Sequence, residues 1–128
     1  MKDGGYLTRA LNGQSLVFYS SVTWNAIDKT LGNAKFYDTA AQNVKRHFSV
    51  GLETKLDGQG RLTIPPNLRQ RAGLDKDVTL LAMGDCLEIW DTRRWREYDQ
   101  ANCTPEQVAQ SLDILSSRDA ATGKADGG

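Results

Sequence analysis

The sequence is short of several things: it has two cysteines, one histidine, no long apolar run and no surplus of either charge. Each shortage excludes a class of function. No apolar stretch approaches the roughly 20 residues that a membrane-spanning helix needs. No apolar signal core follows Met1, so a cytoplasmic protein is expected. Cys86 and Cys103 form no CxxC pair, which argues against a zinc site. In a reducing compartment both are expected as unpaired thiols, Cys86 within a strand. Lys plus Arg and Asp plus Glu both number 16, which excludes a uniformly basic coat for nucleic acid.

Catalysis is poorly provided for as well. His47 lies between Arg46 and Phe48 on an expected helix and reads as a packed or solvated residue. No serine or cysteine stands in a nucleophile motif. Glu53 and Asp57 read as solvated charges bordering a strand, and Gly58-Gln59-Gly60-Arg61 is too short for a phosphate-binding loop. Neither an enzyme, nor a cofactor, nor a small-molecule substrate is expected.

What is present is enough for a globular fold. The 128 residues allow one compact domain or two very small ones, and 39% are apolar against 25% charged. The charge is unevenly spread. Residues 58–71 carry three arginines and no acid, a local basic patch of the kind that suffices to bind phosphate.

A shift of 71 residues lays 7–24 on 78–95 without a gap. Thr8 falls on Thr79, Gly13 on Gly84, Leu16 on Leu87 and Trp24 on Trp95. This is read as an internal duplication, each copy a strand, tight turn, strand and short helix. Asn12-Gly13 is expected as a two-residue hairpin turn, with Gly84-Asp85 in its place in the second copy. Trp24, Ile27 and Leu31 share one helix face and read as core. The second copy also has a front part, residues 53–74, whose counterpart would begin before Met1. The chain is therefore expected to open in the middle of its first repeat, through truncation or evolutionary loss.

The remaining segments are simpler. Residues 38–48 suit a connecting helix capped by Asp38. Thr104 with Gln107 makes a capping box, with Pro105 in the first helical position. Val108, Leu112 and Leu115 form a stripe, and the polar tail after Ser116 is expected to be disordered.

The front part holds the chemistry. Gly58 and Gly60 are expected to permit a sharp turn between two strands. On the second strand Leu62 and Ile64 should point inward, with Arg61 and Thr63 on the other face. Pro65-Pro66 should end it and start a helix, with Gly73 as its left-handed terminus and Leu74 folded back on Leu68. Arg69 and Arg71 lie off the Leu68 face. Asp57 and Arg61 either form an ion pair that pins the turn, or Asp57 holds Arg61 extended toward phosphate or a base edge, both of which match a guanidinium fork. Both readings stand.

The motif Asp57-x-x-Gly60-Arg61, with Ile64-Pro65, Leu68-Arg69, Ala72-Gly73-Leu74 and Glu88-Ile89-Trp90-Asp91 followed by Trp95, resembles the second half of the MraZ family of bacterial transcriptional regulators, which belongs to the SpoVT/AbrB-like swapped-hairpin group. LTRALNGQSLVFY, Trp24 and KRHF at 45–48 also fit, so that the resemblance covers about residues 6–100. It implies an α+β, β-rich fold: an AbrB-like swapped-hairpin β-barrel of two similar halves with short peripheral helices. It further implies a ring-like homo-oligomer that binds repeated elements in double-stranded DNA upstream of the division and cell-wall gene cluster, nucleoid-associated, without a membrane. Two DxxxR turns face DNA in the family, and here only the second is present. Taken with the acid-free arginines, this makes Arg61 the principal expected contact, held by Asp57 and supported by Arg69, Arg71 and Lys55. Unpaired strand edges left by the shortened first repeat favour pairing with another chain, with Trp90 and Trp95 in or beside the interface. The resemblance divides the chain into an incomplete first repeat at 1–31, a connecting helix at 32–50, a complete second repeat at 51–103, and a short helix with a disordered tail at 104–128. An alternative is a protein-interaction module of antitoxin-like type that uses residues 104–115.

Overall fold

The computed structural model describes residues 4–55, 57–59 and 61–122, with side chains as far as residue 118. The chain divides into two compact units, one ending at Thr92 and one beginning at Arg93. In the first, β1 (Gly5–Arg9) and β2 (Leu16–Ser20) lead into α1 (Ser21–Gly32) and α2 (Thr39–Ser49). β3 (Leu52–Thr54), α3 (Pro66–Arg71), β4 (Val78–Ala82) and β5 (Cys86–Asp91) follow. The second consists of α4 (Thr92–Asn102, which starts on the last residue of the first unit) and α5 (Pro105–Thr122). The α+β class read from the sequence is the one observed. The five strands form one antiparallel sheet in the order β3-β1-β2-β5-β4. It runs open between β3 and β4 rather than closing on itself.

The second hairpin turns where expected. Met83 N–H donates to the Cys86 carbonyl at 2.9 Å, which leaves Gly84 and Asp85 as the two central residues. Gly84 has φ of +90°, and no described non-glycine residue has a positive φ, which makes this a II′ turn. The first hairpin departs from expectation. Ala10 N–H donates to the Ser15 carbonyl, so the loop contains four residues, 11–14. Asn12 does not adopt the left-handed angle that a two-residue I′ turn demands of it. Its side chain instead accepts from Gln14 N–H at 2.8 Å, and Gly13 alone turns left-handed, at φ +74°.

The two extra loop residues alter the repeat. Phe18 and Ile89 are 71 apart, but their cross-strand partners, Leu7 and Leu80, are 73 apart. The ungapped match thus holds for the returning strands and slips by two on the leading ones. Thr8 and Thr79 are not equivalent.

One face of the sheet carries the main core. Leu7, Leu16, Phe18 and Ile89 pack with Leu68 of α3 and with Ala72, which caps its C-terminus, flanked by Leu62, Ile64, Leu74 and Leu87. The end of α3 follows the expected pattern. Gly73 is at φ +66°, Gly73 N–H donates to the Gln70 carbonyl, and Leu74 N–H reaches the Arg69 carbonyl. Those two hydrogen bonds close the helix and bring Leu74 back onto the core beside Leu68. On the other face Trp24 of α1 stacks on Tyr6 at 4.6 Å between ring centres, with Phe48 of α2 edge-on at 5.5 Å. Ser20 and Asp38 cap the two helices through Thr23 and Ala41 N–H. His47 is a packed residue, its Nε2 2.8 Å from the Arg9 carbonyl. A carbonyl only accepts, so that nitrogen carries the hydrogen.

Three further expectations are corrected or bounded. Residues 61–65 are not a strand. Leu62 and Ile64 do pack inward and Arg61 and Thr63 remain exposed, but Pro65 and Pro66 lack the N–H groups that a continuing ladder needs. Trp90 is buried within its own chain, 1% exposed, with Nε1–H donating to Glu88 at 2.9 Å. In the second unit Trp95 stacks on Tyr98. Thr104 and Gln107 form the expected reciprocal cap, and α5 runs on to Thr122 where a polar tail was expected from 116. The rest of that tail, 123–128, lies outside the described residues.

Candidate nucleic-acid interface

Asp57 organises the loop between β3 and α3. Its Oδ1 accepts from Gln59 N–H at 2.9 Å and from Arg61 N–H at 2.8 Å. Its own N–H donates to the Arg61 carbonyl at 2.9 Å. Its Oδ2 takes the Arg61 side-chain Nε–H at 2.9 Å. One carboxylate thus closes the turn through backbone and side chain together. The Arg61 N–H, then Gln59 N–H and the guanidinium, hold the Asp57 carboxyl below its ordinary range, opposed in part by desolvation. Accepted hydrogen bonds favour the charged form.

Glycine is not what makes this turn at position 58. Gly58 has no positive φ, and a Cβ there would meet nothing within 4 Å. Gly60, the other half of the expected hinge, lies outside the described residues. The turn is a side-chain-capped loop of the Asx kind, in which aspartate supplies the acceptors that a tight glycine turn would take from the backbone.

Arg61 remains open to solvent despite the bond. Its side chain is 72% exposed and that of Asp57 is 44% exposed. Asp57 engages Nε and makes no hydrogen bond to the outer NH groups of the guanidinium. An arginine so held loses less rotamer freedom when it meets an acceptor. Of the other basic residues singled out in the sequence, Lys55 follows β3 and is exposed. Arg69 and Arg71 occupy the last turn of α3 and are exposed as well. The structure joins Asp57 and Arg61 directly. It ties neither Lys55, Arg69 nor Arg71 to that pair by a bond.

Asp91 has a role the sequence reading missed. It is buried, and its Oδ1 accepts from Asp75 N–H at 3.0 Å, anchoring the segment after α3 to the end of β5. A buried carboxylate 16 residues from its partner leaves no local pattern to read. Among the described residues no group of acids, histidines and cysteines is placed to hold a metal, and no helix is long and apolar enough to cross a membrane.

The chain is similar to known proteins across most of its length. The family model for MraZ protein matches residues 48–112. A transcriptional regulator MraZ of Acetivibrio thermocellus is 34% identical over 111 residues, 85% of this chain and 77% of that protein. The corresponding figures for the transcriptional regulator MraZ of Syntrophomonas wolfei are 35% over 112 residues, 84% and 78%. For that of Limosilactobacillus fermentum they are 33% over 116 residues, 89% and 80%.

Proposed function

The chain belongs to the MraZ family, and from that premise we propose that it is a transcriptional regulator that binds double-stranded DNA. It acts as a homo-oligomer on repeated elements upstream of the division and cell-wall gene cluster, in the nucleoid. The observation that supports this reading is the Asp57–Arg61 turn, which presents an exposed, pre-oriented guanidinium. Arg61 is the principal contact. Lys55, Arg69 and Arg71 add phosphate contacts, which fix position on the duplex without reading sequence. Asp57 is a positioning residue that acts through Arg61. Several copies of a weak contact, held in one oligomer, add through effective concentration on a repeated site. The test is binding to a duplex that carries such repeats, against a scrambled duplex of equal length, at two salt concentrations. Equal affinity for both would reject sequence-specific regulation.

A second reading has its own observation. α5 exposes Val108, Leu112, Ile114 and Leu115, an apolar surface suited to a protein partner of the antitoxin-like kind. Leu112→Glu with Leu115→Glu then abolishes partner capture and leaves DNA affinity untouched.

A further inference from the structure

We propose that the cleft between α1, α2 and β1 binds a free amino acid with an apolar or aromatic side chain, its ammonium group donating to Asp28 and its carboxylate accepting from Lys45. The inference uses no residue of the Asp57–Arg61 turn and stands apart from the DNA-binding reading.

The cleft is walled by rings. Trp24 of α1 stacks on Tyr6 of β1 with 10° between the planes, and Phe48 of α2 meets the indole edge-on. Ile27 and Leu31 complete the apolar wall, and the space is about 290 Å³. That is near the ~300 Å³ lower limit of ligand pockets and admits one small molecule. The walls do not close on each other as a core would. Neither α1 nor α2 contains a fully buried residue, and Tyr6, Trp24 and Phe48 are half-buried. Gly51 leaves room for the indole: a Cβ there would fall onto Trp24 Cη2 and lie 2.8 Å from Cζ2. The other hairpin lacks the stack. Thr79 holds the β4 position equivalent to Tyr6 and bonds to Thr92 at 2.9 Å. The stacked pair therefore belongs to one half of the repeat, and the fold that both halves share does not require it.

Charge decides what the cleft takes. Asp28 stands one turn after Trp24 on α1, and Lys45 stands one turn before Phe48 on α2, so each helix brings one charge to the cleft beside a ring. Neither has an ion-pair or hydrogen-bond partner among the described residues. An uncharged apolar ligand would leave both charges unmatched, and a simple cation or anion would meet one charge of its own sign. A zwitterion matches both. Its ammonium group also gains from nearby ring faces, and an apolar side chain fills the space between the rings. A free amino acid carries these three groups on one carbon, at a size that suits the volume.

The experiment titrates the full chain with phenylalanine and follows the Trp24 indole N–H and the Gly51 amide by NMR. Saturable shifts at both are expected. Phenethylamine lacks the carboxylate and hydrocinnamate lacks the ammonium group. Each is expected to bind at least about tenfold more weakly, the loss of one hydrogen bond to a charged group. Glycine, which lacks the side chain, is expected not to bind. Lys45→Gln should bring phenylalanine and phenethylamine to equal affinity, and Asp28→Asn should do the same for phenylalanine and hydrocinnamate. Both residues are unbonded, so an unchanged circular dichroism spectrum is expected. Should either variant fold poorly, the three phenyl compounds on the wild type decide. No saturable shift at Trp24 overturns the site. Equal affinity of the three compounds for the wild type overturns the zwitterion, and with it the proposal. Shifts at Trp24 that follow protein concentration rather than phenylalanine give the cleft to a contact between copies and overturn it as well. None of these outcomes bears on the role of Arg61.

Discussion

Val17 and Glu88 lie directly opposite each other across β2 and β5, and they are the same position of the repeat, 71 residues apart. Around them the pairs cross over. Leu16 faces Ile89, the counterpart of Phe18, and Phe18 faces Leu87, the counterpart of Leu16, so the partners are exchanged about the central pair. A local two-fold axis therefore passes through the Val17–Glu88 pair, normal to the sheet. It relates the hairpin β1–β2 to the hairpin β4–β5, and departures from it mark where the two halves have been used differently.

Leu7 and Leu80 are such a departure, and they yield the first prediction. Leu7→Ala is expected to lower the unfolding free energy by about 2–5 kcal/mol, the usual cost of truncating a fully buried leucine, at any protein concentration. Leu80→Ala removes side-chain contacts that the isolated chain largely lacks. Its cost should therefore be well below that of Leu7→Ala. Urea denaturation measures both. Equal losses would mean that Leu80 is buried in solution.

Gly73 gives the second. Its φ of +66° is the left-handed region, where a Cβ crowds the backbone. Gly73→Ala is expected to cost about 1–2 kcal/mol and to loosen the return of Leu74 onto Leu68. Gly58→Ala, at a position with open space and no positive φ, should cost far less. Thermal melts of the two variants compare them, and an equal loss would contradict the assignment of the turn to Asp57.

The sequence revealed local devices well. The Gly84-Asp85 turn, the Asp38 cap, the Thr104–Gln107 box and the Gly73 terminus each depend on residues within five positions of one another. What it concealed depends on distance or on competition. Asn12 was ambiguous because its side chain offers an alternative to the left-handed backbone. Leu62–Ile64 has the alternation of a strand, but prolines at 65 and 66 and the lack of a partner leave it unpaired. Asp91 bonds across 16 residues. At the candidate site the Asp57–Arg61 bond was one of two open readings. The geometry satisfies the structural one and leaves the guanidinium exposed for the other.

Asp57 provides a third prediction, in pH. Its carboxyl is held below the ordinary range mainly by Arg61 N–H. A depressed value means that the turn's bonds are complete above the unfolded pKa and are lost as pH falls through the folded one. The loop should therefore open at a lower pH than the one at which an aspartate in an unstructured peptide takes up its proton. Carbon-detected titration of the Asp57 carboxyl, with Arg61 N–H followed in parallel, is expected to give one shared midpoint below that of aspartate in an unstructured peptide. A midpoint at or above the peptide value would mean that the turn is not closed in solution.

The fourth prediction separates the two roles in that turn. Arg61→Ala removes a solvent-exposed side chain, so oligomer mass and circular dichroism should not change, while affinity for a repeat-containing duplex falls. Each phosphate contact contributes about 0.9 to the salt slope of log affinity. An oligomer loses one contact per engaged copy, so the slope should drop by more than a single contact allows. Asp57→Asn then distinguishes positioning from proximity. If Asp57 acts by holding Arg61, its loss weakens binding even though a negative charge leaves the interface. If it is only a nearby repulsive charge, the same substitution strengthens binding. The asparagine keeps one acceptor for Arg61 N–H and surrenders the charge-assisted bond to Nε, so a weakened complex with a preserved backbone turn identifies the guanidinium's orientation as what was lost. Unchanged affinity for Arg61→Ala at both salt concentrations would remove this loop from the DNA interface.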